Sequence, residues 1–322
     1  MHIRQFQAGD ESSIAAIHNS AFRFAMESLP EIYQYKEVTA NDVMRWLRED
    51  TEIWVAESDS RIVGYAQVRG VIEKGKREIP TLQIISPRKW ELEQSNIAVL
   101  PELQRSRVGT RLLNEIIEKY KDTTEFVFAL SFSDNLAAEK FLESNGFEMH
   151  DIYHFPDYSD ERPIMNSSVY ETLEFGDLEA PNNLNQDIIF RRATLDDATT
   201  IAEIHKQNVW WNPEVSSLEW NKEFIQGKFG HTVFVVEYEN KVVGSIDHYD
   251  DGRVGISGVL PHMTGKGIGS AMFYKVLLTM KEAGFEFAFM DSGLTQVDAI
   301  KMYEKFGFTI QRRQNAWIKR IK

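Results

Sequence analysis

The amino-acid sequence predicts a mixed α/β (α+β) fold arranged as two tandem domains of one architecture. Three observations predict it. The 322-residue chain is longer than one hydrophobic core usually serves, its second half repeats the motifs of the first in the same order, and strand-like and helix-like patterns are mixed in each half. We therefore expect one domain over residues 1–176, a linker over 177–187 and a second domain over 188–322.

Four pairs of similar segments establish the repeat. The strand, turn and helix around His18 are similar to those around His205, and "RIVGYAQV" is similar to "KVVGSIDH". "VLPELQRSRVGTRLL" then corresponds to "VLPHMTGKGIGSAMF", and "FLESNGF" to "MYEKFGF". The offset in residue number between corresponding segments decreases along the chain. The reason is a longer connection between the third and fourth strands of the first copy, "VIEKGKREIPTLQIISPRKWELEQ".

Each copy is expected to contain a strand, two helices, three strands, a helix, a strand, a helix and a last strand. In the second copy the strands are expected near 188–192 and over "HTVFVVEYE", "KVVGSIDHY", "RVGISGVL", "FEFAFMDS" and "NAWIKRI". Apolar residues at helical spacing place the helices near 196–209, 216–228, 267–283 and 296–306. The linker "GDLEAPNNLNQD" is predicted from its Gly, Pro and Asn content.

Composition excludes several functional classes. The net charge of -13 repels phosphate backbones and anionic lipids, so we expect neither a nucleic-acid nor a membrane partner. The chain has no cysteine, which excludes disulfides, thiolate metal sites and a cysteine nucleophile. It shows no signal-peptide pattern and no apolar run of the roughly 18 residues that span a bilayer. We expect a cytoplasmic protein without a metal, and a monomer with two pseudo-equivalent domains is compatible with the sequence.

The segment "LPHMTGKGIGSAMF", residues 260–273, places Gly265, Gly267 and Gly269 immediately before a helical pattern. Free backbone N–H groups at a helix N-terminus favour a phosphate, and glycines let the backbone touch a ligand. The spacing fits neither the dinucleotide GxGxxG motif nor the P-loop. From these residues alone, a phosphate site and a simple turn both remain open.

Together with a later motif, this loop resembles the GNAT superfamily of acetyl-CoA-dependent N-acetyltransferases. The family loop reads [QR]xxGx[GA] after a "V.P" strand end, and its later signature is "NxxAxxxYxxxGF". The second copy has "TGKGIG" and "QVDAIKMYEKFGF", with Thr264 in place of Gln or Arg and Gln296 in place of Asn. The first copy has "QRSRVG" and "NLAAEKFLESNGF", with Arg107 at the first glycine and Leu142 at the tyrosine.

The resemblance covers nearly the whole chain, once per half. It implies two GNAT domains, each a mixed, mostly antiparallel sheet flanked by helices. The tandem layout, with the more complete motif in the second half, resembles that of mycothiol synthase-like enzymes.

Acetyl-CoA is the acyl donor that the resemblance implies, with no metal. Its pyrophosphate would lie on the amides of residues 264–269, its pantetheine along the splayed end of "GISGVL", and the amide of Val259 would polarise the thioester carbonyl. The implied cofactor-binding residues are Val259, Thr264, Gly265, Lys266, Gly267, Ile268, Gly269, Ser270 and Gln296. A second cofactor site in the first copy would comprise Val99, Gln104, Arg105, Arg107, Gly109, Thr110 and Asn135.

Tyr303 is the expected general acid. At the family's tyrosine position it can protonate the departing CoA thiolate, because an ordinary phenol keeps its proton at neutral pH. A half-buried helix aromatic is the alternative reading. The expected function is direct acetyl transfer to a primary amine of a small molecule, without a covalent enzyme intermediate.

The general base is less clearly indicated. Many family members use a Glu on strand four, where the second copy has Arg253, Gly255 and Ser257. Among the nearby residues we expect His248 to be the base, because of its ordinary pKa, and Asp247 to contact the substrate. Strand alternation puts these two on opposite faces. A surface histidine and solvated turn acids are the alternative.

Trp211 is the second expected substrate residue, after Asp247. It lies between the first two helices of the second copy and could pack against an apolar or cationic part of the acceptor. Core packing is the alternative for this tryptophan.

The first domain is expected to be non-catalytic. Leu142 cannot donate a proton, and a left-handed backbone at Arg107 would cost about 1–2 kcal/mol if the loop requires it. An arginine there could nevertheless reach a phosphate through its guanidinium. Two alternative functions stay open for the chain: acetylation of protein or peptide amines, and non-catalytic binding of acyl-CoA.

Overall fold

The chain forms two compact units, each of which contains a strand from the segment that the sequence repeat assigns to the other domain. The computed structural model describes residues 1–23, 37–47, 51–73, 77–83, 97–122, 126–153, 165–176, 178, 180–181, 184–208 and 213–321. The first unit comprises Met1–Ser167 and Arg313–Lys322, and the second comprises Ser168–Arg312. These limits differ from the repeat-based ones because a sequence repeat does not show where its last strand packs.

Among the described residues, the first unit contains four helices, nine complete strands and most of the last strand of the chain. The helices are α1 (Glu11–Ala21), α2 (Ala40–Trp46), α3 (Val108–Tyr120) and α4 (Leu136–Ser144). The strands are β1 (His2–Gln5), β2 (Thr51–Ser58), β3 (Arg61–Glu73), β4 (Arg77–Gln83), β5 (Ile97–Val99), β6 (Phe126–Phe132), β7 (Glu148–His150), β8 (Ile152–Tyr153), β9 (Met165–Asn166) and residues 313–320 of the last strand of the chain.

The second unit begins with β10 (Ser168–Glu174), which the repeat assigns to the first copy. It continues with β11 (Ile189–Arg192), α5 (Ala198–Asn208), α6 (Leu218–Ile225), β12 (His231–Tyr238), β13 (Lys241–Tyr249), β14 (Gly258–Val259), α7 (Ile268–Glu282), β15 (Phe287–Gly293) and α8 (Val297–Glu304). The last strand, β16 (Thr309–Arg320), contributes residues 309–312 to this unit.

The sheet of the first unit has the strand order β1-β2-β3-β4-β6-β16, with β5 paired to β3 and β7 to β16. The pairs are antiparallel except for the parallel pair β4–β6. Residues of β16 complete the core of this unit. Trp317 is buried and its indole N–H donates to Ser131 Oγ at 2.8 Å.

The second unit contains an antiparallel sheet, β11-β12-β13-β14, and an antiparallel pair, β10–β15, with β16 beside β10. Helix α7 packs its apolar side onto these strands through Phe273, Val276 and Met280, all of which are buried. The expected helices and strands of the second copy are present, but "RVGISGVL" is a strand only at Gly258–Val259, and the last strand begins at Thr309, six residues before "NAWIKRI". The other ends differ by a few residues because terminal turns are weakly specified by pattern.

In both units an Arg–Asp ion pair connects the first strand to the turn that follows it. In the second unit the Arg191 guanidinium holds Asp197 by two hydrogen bonds of 2.8 Å, and this contact lowers the pKa of Asp197 to about 2. Arg4 and Asp10 make the corresponding pair in the first unit, at 2.7 and 3.0 Å. Within the described residues, no helix is both long and apolar enough to cross a bilayer.

Candidate functional site

The sheet of the second unit opens next to β14. Residues 252–254 still contact β15, since the Val254 amide donates to Phe289 O at 2.9 Å and the Phe289 amide to Gly252 O at 3.0 Å. Gly258 and Val259 instead pair with β13. Residues 255–260 between and beyond these contacts are partly exposed. A splayed edge therefore begins at Gly255, on the segment where the resemblance places the pantetheine.

The glycine loop leads from this edge into α7. Gly265 has φ +82° and Gly267, the N-cap of α7, has φ +72°, so both occupy the left-handed region that favours glycine. No side chain caps α7, which leaves the amides of its first turn without a side-chain acceptor. The loop residues Thr264, Gly265 and Lys266 are exposed. This arrangement fits an anion such as a pyrophosphate.

The loop of the first unit has the same backbone shape. Arg105 and Arg107 occupy the left-handed region at φ +65° and +67°, where the second unit has glycines. Gln104 and Thr264 also have nearly equal dihedral angles. The strain expected at Arg107 is therefore present, and Arg105 has it as well.

Other residues of the first-unit loop have structural contacts. Gln104 Nε2 donates to Val99 O at 3.4 Å, and Asn135 Oδ1 caps α4 by accepting from the Ala138 amide at 3.1 Å. A Cβ at Gly109 would come within 3.1 Å of the Phe141 ring. Thr110 follows in the first turn of α3 and is partly exposed.

Tyr303 lies on α8 and is 7% exposed. Its ring centroid is 4.7 Å from that of Phe273. Burial raises the pKa of Tyr303 to about 12, the charge of Glu171 raises it further, and a hydrogen bond with Ser257 acts in the opposite direction. Because Ser257 belongs to the splayed segment, the Tyr303 phenol faces that segment. Because its pKa is raised, the phenol carries its proton at neutral pH.

Asp247 occupies the space above strand four that a side chain at residue 255 would fill. A Cβ on Gly255 would lie 2.6 Å from Asp247 Oδ1 and 2.5 Å from its Cγ. The carboxyl group is 0% exposed and neither oxygen has a hydrogen-bond partner. Burial raises the pKa of Asp247 to about 8, against the effects of the nearby Ile256 amide and the Arg253 charge.

His248 points to the other face of β13, as strand alternation predicts. Its ring centroid is 5.8 Å from that of Phe234 and 5.5 Å from that of Phe285, within the apolar packing beside α7. Burial lowers its pKa. The structure therefore does not bring His248 and Asp247 together.

The face of β13 that carries Asp247 differs from the corresponding face of the first unit in the size of one side chain and in having an acid in place of Gln67. In the first unit, His18 Nδ1 contacts the Tyr65 hydroxyl at 2.5 Å. The motif alignment places Ser245 where the first copy has Tyr65, and Ser245 Oγ and His205 Nε2 both lack a partner. A large side chain in one unit is thus replaced by a small hydroxyl beside a buried carboxyl in the other.

Glu171 on β10 is a residue that the sequence analysis missed. It is 1% exposed, and Ser292 Oγ donates to its Oε2 at 2.7 Å. Burial raises the pKa of Glu171 to about 7. The available signal was a carboxylate at the inward positions of an otherwise apolar alternating strand, "SVYETLEF", but β10 precedes the linker and was assigned to the first domain.

The remaining residues that the sequence predicts for the site differ in their contacts and exposure. Gln296 Oε1 accepts from the Gly293 amide at 3.1 Å, Lys266 Nζ lies 5.2 Å from the centroid of the Tyr238 ring, and Ile268 is buried. Ser270 and Gly269 lie in the partly exposed first turn of α7. Trp211 lies outside the described residues. Among the residues that are described, no group of three or more His, Cys, Asp or Glu is arranged to hold a metal ion.

Comparison with known families identifies the repeat. The sequence model of the acetyltransferase (GNAT) family matches residues 14–147 and again residues 199–308. None of the curated proteins is similar enough in sequence to match the chain.

Solved structures of similar fold include a protein described as a tandem GNAT protein. A tandem GNAT protein from the clavulanic acid biosynthesis pathway has a TM-score of 0.65 and 13% identity, over 100% of this chain and 98% of its own. A GCN5-related N-acetyltransferase from Sphaerobacter thermophilus has a TM-score of 0.62 and 17% identity, over 100% and 96%. A glucosamine N-acetyltransferase region of a fungal multi-domain β-N-acetylglucosaminidase has a TM-score of 0.68 and 14% identity; it covers 99% of this chain, which spans 38% of that protein.

Proposed function

Because the chain belongs to the acetyltransferase (GNAT) family and carries two of its domains in tandem, we propose that it transfers an acetyl group from acetyl-CoA to a primary amine of a small molecule, and that the second unit does so. The observation that carries this proposal is Tyr303, a protonated phenol that faces the splayed edge below the glycine loop. The first unit has buried Leu142 in its place.

The donor would be held by the main chain. The pyrophosphate would accept hydrogen bonds from amides of the loop and of the first turn of α7, and the Val259 amide would donate to the thioester oxygen. Acetyl-CoA supplies the activated acyl group and a thiolate leaving group. Both the partial exposure of residues 255–260 and the uncapped start of α7 support this placement.

Acetyl transfer forms a C–N bond and breaks a C–S bond. Tyr303 gives its proton to the departing thiolate sulfur, which avoids release of an unprotonated thiolate. Amines with a pKa near 10 arrive as ammonium ions and must lose a proton before attack. A carboxylate at the splayed edge would both bind the ammonium and accept that proton.

We assign that carboxylate to Asp247, which the sequence analysis expected to contact the substrate. It lies over Gly255 on strand four, where many family members have a glutamate, and its two oxygens are unpartnered. His248 remains the base expected from sequence, but its ring packs among phenylalanines on the opposite face. The geometry therefore favours Asp247 over His248.

Three substitutions support a non-catalytic first unit. Its counterparts of Tyr303, Asp247 and Ser245 are Leu142, Gln67 and Tyr65, by the offsets of the repeated motifs. Leu142 and Gln67 cannot exchange a proton at neutral pH. Tyr65 is larger than Ser245 and contacts His18, whereas Ser245 Oγ has no hydrogen-bond partner.

CoA release in the presence of acetyl-CoA and a panel of amines tests the proposal. The panel should contain alkyl diamines, aromatic amines, an amino sugar and a lysine peptide. We expect release that depends on a small primary amine and is lost in Tyr303→Phe. Turnover of the peptide alone would replace the small-molecule acceptor, and binding of acetyl-CoA without release on any amine would indicate a non-catalytic acyl-CoA-binding protein.

A further inference from the structure

A buried polar pair lies on β10 and β15, two strands that share a hydrophobic core with Tyr303 of α8 in the second unit. Glu171 and Ser292 lie on the paired strands β10 and β15 and are joined by a 2.7 Å hydrogen bond. Both are almost fully buried, as is Tyr303 on α8, whose phenol feels the charge of Glu171. Glu171 Oε1 has no hydrogen-bond partner. A buried carboxyl group whose charge acts on the expected proton donor therefore has one oxygen without a hydrogen bond.

The first unit provides an internal comparison for the strand position. Glu171 is opposite Met290 in the β10–β15 pair, and Ala316 is opposite Leu130 in the β16–β6 pair. Met290 and Leu130 are related by the same offset as Gly269 and Gly109 of the two loops. Ala316 is thus the counterpart of Glu171.

The two neighbours of Glu171 are also apolar in the first unit. Phe132 is the counterpart of Ser292, and Leu142 that of Tyr303. All of the counterparts are buried. In the first unit, where no chemistry is expected, these three positions therefore carry apolar side chains, and the nearby buried hydroxyl of Ser167 accepts a hydrogen bond from the Ala316 amide at 3.0 Å. Because an incompletely paired carboxyl group is unfavourable in a protein interior, fold stability does not explain Glu171.

We propose that Glu171 is a positioning residue of the acetyl-transfer site that acts through Tyr303: its protonated form leaves the phenol able to give up its proton, and its ionised form holds that proton back. This inference rests on the proposed function and adds a residue from the segment assigned to the first sequence repeat to the catalytic unit.

The charge of Glu171 matters because proton transfer from Tyr303 creates a negative charge on the phenol oxygen. When Tyr303 transfers its proton to the CoA sulfur, the phenol oxygen becomes negative until it is reprotonated from solvent. A carboxylate nearby repels this charge and makes the phenol a weaker acid, whereas a neutral carboxylic acid does not. No atom of Glu171 is transferred, so the net reaction is unchanged.

Neighbouring groups also affect the pKa of Glu171. Glu304 on α8 and Asp291 on β15 both favour its neutral form, and burial does so more strongly, while the hydrogen bond from Ser292 favours the carboxylate. Arg312, on the part of β16 that belongs to this unit, is a buried cation of the strand next to β10. With a pKa of about 7, the carboxyl group changes its charge within the physiological range.

The test compares the full-length wild type with Glu171→Gln, which is permanently neutral and nearly isosteric. With the amine saturating, the ratio of kcat in Glu171→Gln to kcat in the wild type should rise about tenfold from pH 6 to pH 8, because a group with a pKa of about 7 loses its proton across this interval. A ratio, rather than the profile of one protein, removes titrations that both proteins share. An unchanged ratio would overturn the proposal.

A second readout does not need turnover. In protein labelled with ¹³C at the tyrosine Cζ, the Tyr303 resonance is identified by its loss in Tyr303→Phe. It should move between pH 6 and pH 8 in the wild type and stay constant in Glu171→Gln. A resonance that moves equally in both proteins would overturn the coupling even if the amine acceptor had been chosen wrongly, so the two failures are distinguishable.

Glu171→Met, which is apolar and similar in length, separates this role from a structural one. We expect it to unfold at the same or higher urea concentration than the wild type, because the first unit shows that the position accepts apolar packing, and to show no pH dependence of the Tyr303 resonance. A lower unfolding midpoint together with a pH-dependent resonance would assign Glu171 a structural role only.

Discussion

The carboxyl group of Asp247 on β13 lies over the backbone of Gly255, in the space that a side chain on strand four would occupy. Strand four of the second unit carries no acid at its inward positions, which left the expected base unidentified in the sequence. The neighbouring strand supplies the carboxyl group instead, and the missing Cβ of Gly255 makes room for it. The position of an acid at the splayed edge is thus retained although the residue that provides it is different.

Asp247→Asn should lower kcat/KM for the amine by about 10²-fold or more, because the ammonium ion loses its counter-charge and its proton acceptor. In the wild type, kcat/KM should rise with pH until Asp247 is ionised, near its pKa of about 8. This rise should be absent from the variant. Asp250→Asn, at an exposed acid after the same strand, is the matched control, and an equal loss of kcat/KM in both variants would contradict the assignment.

The same substitution should change stability in the opposite direction. The pKa of Asp247 is raised above its ordinary value of about 3.9, so the native state keeps a proton that the unfolded state releases, and the wild type loses stability as pH rises towards 8. Asp247→Asn cannot ionise. Its urea midpoint should therefore exceed that of the wild type at pH 8.5 by more than it does at pH 5, and a difference that is constant with pH would argue against a buried, unpaired carboxyl group.

Tyr303→Phe should reduce kcat by about 10²-fold or more while the affinity for CoA changes less than twofold, because only the proton transfer is removed. Tyr274→Phe is the matched control: Tyr274 is a partly buried residue of α7 stacked on Phe306. Steady-state rates of CoA release and calorimetry with CoA supply the two quantities. Full turnover in Tyr303→Phe would exclude this tyrosine as the general acid.

Ser245→Tyr transfers the side chain of the first unit into the second. Ser245 is buried and lies on the same face of β13 as Asp247, so the larger tyrosine side chain should crowd Asp247. We expect KM for the amine to rise at least tenfold, with CoA affinity unchanged. Ser245→Ala, which adds no volume, should behave as the wild type. Unchanged amine kinetics in Ser245→Tyr would place the acceptor elsewhere.

Local sequence patterns predicted the repeat, the order of strands and helices, the loop and Tyr303, because each depends on spacing within a short segment. Left-handed residues at the loop followed from the position of the glycines, and Arg107 confirms that the first copy keeps that shape at a non-glycine residue. Glu171 did not follow from any local pattern. Its role depends on β10 pairing with β15, and pairing between residues more than 100 positions apart leaves no mark in either segment.

The site residues expected on β13 also show that a local sequence pattern does not reveal long-range packing. Alternation along the strand correctly put Asp247 and His248 on opposite faces, but it could not show which face carries the splayed edge. That depends on the packing of α7 against Phe234 and Phe285 on one side and on the glycine at 255 on the other. Chemical type favoured the histidine, and the packing favours the aspartate.

We propose that the glycine loop of the second unit binds the pyrophosphate of acetyl-CoA, and calorimetric titration of CoA into charge variants of the loop is the decisive experiment. A Cβ at Gly265 meets no atom within 4 Å, and Arg105 shows that a long side chain can hold the same backbone conformation. Gly265→Glu and Gly265→Gln therefore differ in charge but hardly in shape or strain, and Arg105→Glu places the same charge on the loop of the first unit. We predict a Kd for CoA at least tenfold higher in Gly265→Glu than in Gly265→Gln, a difference that shrinks with added salt, and little change in Arg105→Glu. Equal affinities in the two Gly265 variants, or a larger loss in Arg105→Glu, would contradict the account.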